Sequence, residues 1–417
     1  MADQGRTAGR ARGARRRVAG AVLAALLCAA ACTAPADKAP DTAARDIRAT
    51  LDRRAAAVLH HDADAYVAVV DPDATALRGA QRKEFGHLAE VPLGSWTYRV
   101  TDLAPHGADR ATADVRLGYR IDGYDSAPVS VDRVIDLERD PADGRWYLTA
   151  DRAADGGSEQ LWEQGDVEAV RGTHSLVLGV GRSRDELKAI AATADRAVPD
   201  VSAAWPEHWA GRVVVLVPGT VTDMAELLGS PAANYRGIAA VTTGETGGSG
   251  KAPADRVIVN PEAYAMLGAF GQRVVLTHET THVATRTDTS AATPAWLSEG
   301  FADWAAYRDG RRTAAEIAPE LGDAVTGGDV PAALPTDEDF GFAGDADRLA
   351  RAYEGGWLAC ELIAEQWGEE KLFAFYRAVG GHAGRDGAVE QALHEVLGTT
   401  PQDFTVRWRE YLVSRFG

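Results

Sequence analysis

The segment from His278 to His282, with the sequence His-Glu-Thr-Thr-His, constrains this 417-residue chain more than any other feature. Valines at helical spacing flank it on both sides, so the segment is predicted to lie on a helix over 272–285. Histidines four apart on a helix share one face, so both imidazoles can reach one tetrahedral metal ion. Glu279 lies one position round the helix, where a carboxylate can act as general base toward a water beside the metal.

A second helix is predicted to follow at once, with Thr293 as its N-cap and Pro294 in its first position. It carries Glu299 and Asp303 on one face, four residues apart. The connection over 286–292 is short and polar, so the two helices fold back on each other and bring Glu299 to the metal as third protein ligand. A fourth, open position is typical of a catalytic zinc site. Asp303 is expected to accept the second N–H of a ligating histidine and so fix its tautomer.

The combination of His-Glu-x-x-His, a glutamate 17 residues further on and an aspartate four beyond it resembles the gluzincins, the thermolysin-like zinc metallopeptidases. The specific motifs fall within 278–303, and a fainter similarity extends from about Leu176 to the C-terminus. The resemblance implies Zn²⁺ as cofactor, a peptide or protein as substrate and hydrolysis of a peptide bond.

The resemblance also implies two further elements around the metal. A tyrosine from a helical subdomain binds the oxyanion in such enzymes, and Tyr353 has a similar placement, with His382 and His394 as weaker candidates. A core or surface position is the alternative for Tyr353. The sheet edge before the zinc helix pairs with extended substrate backbone, and Gly237–Thr242 occupies that place by order.

Two alternatives to catalysis stay open. The five-residue motif arises by chance in about one chain in a hundred, so a degenerate, non-catalytic zinc site is one of them. The other is a surface binding or accessory protein whose peptidase-like domain is vestigial. The intact Glu279 favours an enzyme, because a vestigial site has no need for a base.

The N-terminus is predicted to be a signal peptide over 1–31, with an arginine-rich start and an apolar stretch over 18–31 that is short for a membrane span. The stretch ends in Ala-Ala-Ala-Cys, which resembles the bacterial lipobox except that Ala29 replaces the usual Leu. Cys32 is therefore predicted to carry lipid, with 32–42 as lipidated cysteine and tether. Plain cleavage or an uncleaved anchor is the alternative, and the choice between general and twin-arginine export stays open.

Charge and cysteine usage fit an exported protein. The formal net charge is −17, and removal of 1–31, with its six Arg and one Asp, leaves about −22. Such acidity argues against nucleic acid as a partner and favours solubility at a wet cell surface. Cys28 leaves with the signal and Cys32 is modified, so Cys360 is predicted to be a buried packing thiol without a disulfide partner.

The fold class is predicted to be α+β, with a cone-like α+β N-terminal domain over 43–155 followed by a zincin-like α/β plus helical metallopeptidase domain over 161–417. In the first domain, two helices precede strands over 96–102, 110–122, 128–139 and 145–150. This order of elements resembles the nuclear-transport-factor-2-like cone. No polar constellation suggests a second active site there, so an accessory or spacer role is favoured, with His60 and His61 facing solvent.

The second domain is predicted to change from α/β to helical. Its predicted strands cover 173–180, 212–217, 238–242 and 256–260, and its predicted helices outside the metal site cover 185–205, 349–367, 371–379, 388–397 and 401–416. The Gly-rich segment 243–255 is interpreted as a flexible hairpin connection, because it lacks the Gly-Lys-Ser/Thr ending of a phosphate-binding loop. Residues 306–342 are expected to form a partly helical cover over the cleft.

These features together predict a zinc metallopeptidase at the outer face of a bacterial cell membrane. The membrane is reached through the lipid on Cys32, or the protein is secreted without it.

Overall fold

The computed structural model describes residues 38–243, 254–308, 310–341 and 345–417. A compact unit runs from Ala43 to Gly417 and has the predicted α+β class. The predicted signal peptide, Cys28, Cys32 and most of the Gly-rich segment lie outside the described residues. Among the described residues, no helix combines the length and the apolar character that a membrane span requires.

Three helices precede a four-stranded antiparallel sheet in the first part of this unit. The elements are α1 (Lys38–Leu59), α2 (Ala63–Val67), α3 (Thr75–His87), β1 (Leu93–Pro105), β2 (Arg110–Ile121), β3 (Val129–Arg139) and β4 (Trp146–Ala153), with strand order β1-β2-β3-β4. Asp62 caps α2 by accepting the Ala65 N–H. The four predicted strands are confirmed, whereas α3 was not predicted because its sequence is mostly polar. The likeness to the nuclear-transport-factor-2-like cone stays a prediction.

A buried polar network lies between α1 and this sheet, and the accessory or spacer role of the first part stays a prediction. Arg54 is fully buried and donates hydrogen bonds to the Tyr66 hydroxyl at 2.8 Å and to Asp151 at 2.9 Å. Arg133 pairs with the same carboxylate at 2.7 Å. Buried polar groups that satisfy one another in this way fix how the helix lies on the sheet. His60 and His61 are exposed, as predicted.

The second part contains a five-stranded mixed sheet and most of the helices. Its strands are β5 (Val167–Arg171), β6 (Ser175–Val180), β7 (Val213–Val217), β8 (Ala240–Thr242) and β9 (Val257–Val259). Its helices are α4 (Leu161–Gln164), α5 (Arg184–Ala204), α6 (Val221–Leu228), α7 (Pro261–Met266), α8 (Ala269–Thr285), α9 (Ala295–Tyr307), α10 (Ala314–Ile317), α11 (Pro319–Thr326), α12 (Ala346–Trp367), α13 (Glu369–Gly380), α14 (Ala388–Ala392) and α15 (Pro401–Phe416). Short 3₁₀ helices at Ala232–Tyr235 and Asp337–Phe340 and a π-helical turn at Leu393–Leu397 complete the list.

The strand order in this sheet is β5-β6-β7-β9-β8, which leaves β8 at one edge. β6, β7 and β9 run parallel to one another, and β8 is antiparallel to β9. The segment predicted to form the sheet edge is therefore an edge strand, although it is shorter than predicted. β5 was not predicted.

Both helices of the predicted metal site form, with different boundaries. α8 contacts α5, α9 and β8. Pro294, and not Thr293, is the N-cap of α9, so the predicted cap was wrong by one residue. The Thr293 hydroxyl accepts the Ser290 N–H at 3.2 Å instead. The Asp337 carboxylate accepts the Ala295 N–H at 2.9 Å and so serves the start of α9 from outside the helix.

α9 and α12 approach each other through two glycines. A Cβ atom at Gly300 would lie 2.2 Å from the Gly356 carbonyl oxygen, and one at Gly356 would lie 2.7 Å from the Trp296 carbonyl oxygen. Only glycine permits this separation of the two backbones. The contact brings the first half of α12, which carries Tyr353, beside α9, which carries Glu299 and Asp303.

The predicted domain boundary between 155 and 161 stays a prediction. One apolar cluster contains Tyr119 and Ile121 from the first sheet together with Leu178 and Ile258 from the second. The two sheets therefore share part of their apolar packing within the unit from Ala43 to Gly417.

Candidate metal centre

Three side chains converge at the contact between α8 and α9. The His278 and His282 Nε2 atoms are 3.0 Å apart, and they lie 3.2 Å and 3.5 Å from Glu299 Oε2. Histidines one turn apart on α8 and a glutamate from the returning α9 therefore form one cluster, as the spacing predicts. Among the described residues, this is the group of His, Cys, Asp and Glu side chains that could hold a metal ion.

The donor set fits Zn²⁺. Tetrahedral ligands with bonds of about 2.0–2.1 Å stand roughly 3.3–3.4 Å apart, close to the separations of these three atoms. His278 Nδ1 lies against the Asp303 carboxylate, so a neutral His278 imidazole would turn the lone pair of its Nε2 to the centre, where Glu299 Oε2 also points. A cation among these atoms, either a proton on an imidazole or a metal ion, prevents their electron pairs from repelling one another. Two imidazoles and one carboxylate are typical zinc ligands.

Asp303 lies behind the cluster, one turn after Glu299 on α9. Its Oδ1 accepts a hydrogen bond from His278 Nδ1 at 2.8 Å, which is the contact expected from the sequence. Burial lowers the pKa of His278, but Asp303 and Glu299 outweigh burial and raise it to about 10. Burial also opposes ionisation of Glu299, but the two imidazoles hold its pKa well below its usual range. The centre therefore favours positive charge beside an ionised Glu299.

Glu279 is buried and lies on the same turn of α8, between the two histidines in sequence. Its Oε2 accepts a hydrogen bond from the Thr242 hydroxyl at 2.7 Å. Thr242 is the last residue of β8 and was not singled out in the sequence, where nothing marks it. Glu279 is thus carried by α8 and contacted from the edge strand β8.

The centre opens into a cleft of about 760 Å³ between β8, α8, α9 and α12. Among the described residues, its ionisable lining consists of His278, Glu279, Glu299, Asp303 and Glu354, with neither Lys nor Arg, and burial and the neighbouring Glu320 raise the pKa of Glu354 to about 8. Such a lining attracts cations. Ile317 and Phe340 also line the cleft, so the predicted cover over 306–342 contributes to its wall; Phe342 itself lies outside the described residues.

Tyr353 lies in the wall of the cleft, and its ring centroid is 6.2 Å from that of His278. Phe340 packs edge-on against Tyr353 at 5.1 Å. His382 and His394 are not among the described residues that line the cleft, so neither occupies the expected place of an oxyanion donor. Cys360 is free and fully buried in α12, as predicted, and burial raises its pKa, which suits a packing thiol.

No protein-family model and no curated protein matches this chain. The solved structure of native yeast LTA4 hydrolase is similar with a TM-score of 0.36 and 12% sequence identity. The similarity covers 69% of this chain and 45% of that chain, so the chain spans less than half the length of that structure.

Proposed function

We propose that this protein is a zinc metallopeptidase that hydrolyses peptide bonds by a gluzincin-type mechanism. The observation that carries the proposal is the convergence of two imidazoles and the Glu299 carboxylate, beside a cleft that His278, Glu299 and Glu279 line. A site built only to bind zinc has no need for a buried carboxylate between the ligands. A site that activates water requires one.

Each residue has a distinct role in this mechanism. Zinc held by His278, His282 and Glu299 would polarise the scissile carbonyl and lower the pKa of a water to about 7. Glu279 accepts the proton of the attacking water and returns it to the leaving amine. Tyr353 would donate a hydrogen bond to the developing oxyanion, an interaction whose loss typically costs about 10²–10³ in rate, and its position in the cleft wall beside His278 supports this role.

The substrate is a peptide or protein segment bound in extended form. β8 is an edge strand beside the cleft, so its main-chain groups can pair with an added strand. Main-chain pairing supplies affinity with little selection among side chains. We further propose that the protein acts at the outer face of a bacterial membrane, held by lipid on Cys32.

Glu279→Gln tests the proposal. The amide keeps the size of the side chain but cannot accept the proton of the water, so hydrolysis of casein and mixed peptides should fall by about 10²-fold or more. Zinc content, measured by elemental analysis, should stay at one equivalent. His282→Ala is the matched comparison, because it should lose both zinc and activity.

The outcomes separate the alternatives. Wild-type protein that binds zinc but cleaves no substrate would favour a vestigial binding protein. Glu279→Gln activity within about tenfold of the wild type would remove Glu279 from the mechanism.

A further inference from the structure

Thr242 connects the edge of the sheet to the proposed general base. Its side chain is fully buried at the end of β8. The hydroxyl lies 2.7 Å from Glu279 Oε2 and 3.0 Å from the Glu279 backbone oxygen. A threonine hydroxyl has one proton to donate, and the shorter contact is with the carboxylate. This is a charge-assisted hydrogen bond between a strand and a helix, and the two bonded residues are 37 positions apart in sequence.

We infer that Thr242 is a positioning residue that holds the Glu279 carboxylate in the orientation required for proton transfer. The inference rests on the proposed function. A glutamate has three side-chain torsions, and its carboxylate reaches many places when nothing fixes its end. General-base catalysis requires hydrogen-bond reach to the water, and a displacement of about 1 Å can cost 10²-fold in rate.

The position of Thr242 is itself fixed from several sides. Thr242 pairs with Val257 in the ladder between β8 and β9. Immediately after it, the Thr243 N–H donates to the Arg256 carbonyl oxygen at 2.8 Å, and the Arg256 N–H donates to the Thr243 hydroxyl at 2.9 Å. Arg286, at the end of α8, donates to the Thr243 carbonyl oxygen at 2.8 Å. The segment Thr242–Thr243, which carries the hydroxyl that contacts Glu279, is therefore held by several hydrogen bonds to β9 and α8.

The first part of the chain also contacts this segment, through Arg256, the partner of Thr243. The Asp125 carboxylate, which follows β2, accepts two hydrogen bonds of 2.7 Å from the Arg256 guanidinium. Both side chains are buried. A bidentate pair of this kind fixes direction as well as distance. The four-stranded sheet therefore helps to hold the segment that positions Glu279. A domain that acted only as a spacer would not make this contact.

The test compares Thr242→Val with Thr242→Ser in the full-length protein. Valine keeps the branched shape and suits a strand but removes the hydroxyl, whereas serine keeps the hydroxyl. Thr50→Val is the matched control, because Thr50 is equally buried, its hydroxyl likewise joins a helix to a strand through the Trp146 carbonyl oxygen at 3.3 Å, and it is not among the described residues that line the cleft. Each variant is assayed for zinc content, thermal unfolding, kcat per bound zinc and KM on the peptide that the wild type cleaves.

Thr242→Val is expected to lower kcat per bound zinc by about 10–100-fold with KM within about twofold, because binding of substrate does not use the base. Thr242→Ser should recover most of this loss, and Thr50→Val should keep wild-type kcat. A hydroxyl that merely pinned the strand to the helix would lower the unfolding temperature or the zinc content, but not kcat per bound zinc.

The inference is wrong if Thr242→Val keeps the wild-type kcat, or if Thr242→Ser is as slow as Thr242→Val. Because kcat is normalised to bound zinc, partial unfolding cannot imitate the expected result. A wild type without any hydrolysis would contradict the proposed function itself, and that outcome is recognised before any variant is compared.

Discussion

At the scale of single residues, the contact between Asp303 and His278 predicts that loss of Asp303 weakens the centre without abolishing it. The carboxylate orients a ligand without touching the metal position, so Asp303→Ala should weaken zinc affinity or kcat/KM by about 10–100-fold and abolish neither. Zinc affinity by competition with a chelator and kcat/KM on peptide measure the two effects. Asp386→Ala removes an exposed carboxylate and serves as control. If Asp303→Ala leaves both zinc affinity and kcat/KM unchanged, Asp303 has no role in orienting His278.

A second residue, Glu84, predicts how stability depends on pH. Burial and the neighbouring Asp151 raise its pKa from 4.5 to about 7, against the effect of Arg54. Between these values the unfolded chain releases the proton that the folded protein keeps, so the free energy of unfolding falls as pH rises from about 4.5 to 7. Glu84→Gln removes this contribution.

Urea unfolding of wild type and Glu84→Gln at pH 5 and pH 7.5 checks the sign. The variant should gain stability relative to the wild type on going to the higher pH, by about 1 kcal/mol or more, since one pKa unit corresponds to about 1.4 kcal/mol. Glu410→Gln, on an exposed position of α15, controls for the loss of a carboxylate. A relative stability that is the same at both pH values, or that falls, contradicts the prediction.

The sequence predicts contacts between neighbouring helices better than contacts between distant elements. His278, Glu279, His282, Glu299 and Asp303 lie on two consecutive helices, where fixed helical spacing decides which side chains share a face. Thr242 is 37 residues from its partner and Arg54 is 97 residues from Asp151. Such contacts depend on the packing of distant elements, which leaves no local pattern.

At the scale of elements, the crossing of α9 and α12 depends on Gly300. An added methyl group would meet the Gly356 backbone at 2.2 Å, which no side-chain movement can relieve. Gly300→Ala should therefore separate the helices, cost about 1–3 kcal/mol of unfolding free energy or more, and reduce zinc affinity because Glu299 is adjacent. Thermal unfolding and chelator competition measure these effects.

Gly79→Ala is the matched control for this change. Gly79 is an exposed glycine within α3, and a Cβ atom there has nothing within 4 Å. Alanine favours a helix over glycine, so this variant should be as stable as the wild type or more stable by up to about 1 kcal/mol. Equal behaviour of the two variants would show that the crossing tolerates a methyl group.

The same scale shows why some elements were predicted and others were not. β1 to β4 alternate apolar and polar residues between clear turns, and the amphipathic α5 and α12 keep a helical period, so their boundaries were within a few residues. α3 has a polar, glycine-containing sequence, and β5 is five residues long. These two depend on their neighbours, because neither carries enough periodic apolar sequence to be recognised alone.

At the scale of the whole molecule, the Asp125–Arg256 pair joins the first sheet to the second. Removing one partner of a buried ion pair leaves the other charged and unpaired, so Asp125→Asn should cost about 3–5 kcal/mol of unfolding free energy. Replacing both, as in Asp125→Leu with Arg256→Met, should cost less than the single change. Urea unfolding of the two variants decides the point, and a harmless Asp125→Asn would mean that the two sheets do not depend on this contact.

The last prediction concerns where the molecule acts. Cys360 is the free cysteine of the described chain and is fully buried, so it is not available for an external anchor. Cys32 follows the apolar stretch and three alanines, so we expect it to carry a diacylglyceryl group. One acyl chain gives marginal membrane binding, whereas two give stable anchoring, so the mature protein should stay with membranes in high salt. Cys32→Ser should release it or leave a precursor, and Cys28→Ser should do neither. An unmodified mature N-terminus by mass spectrometry would instead establish a freely secreted protein.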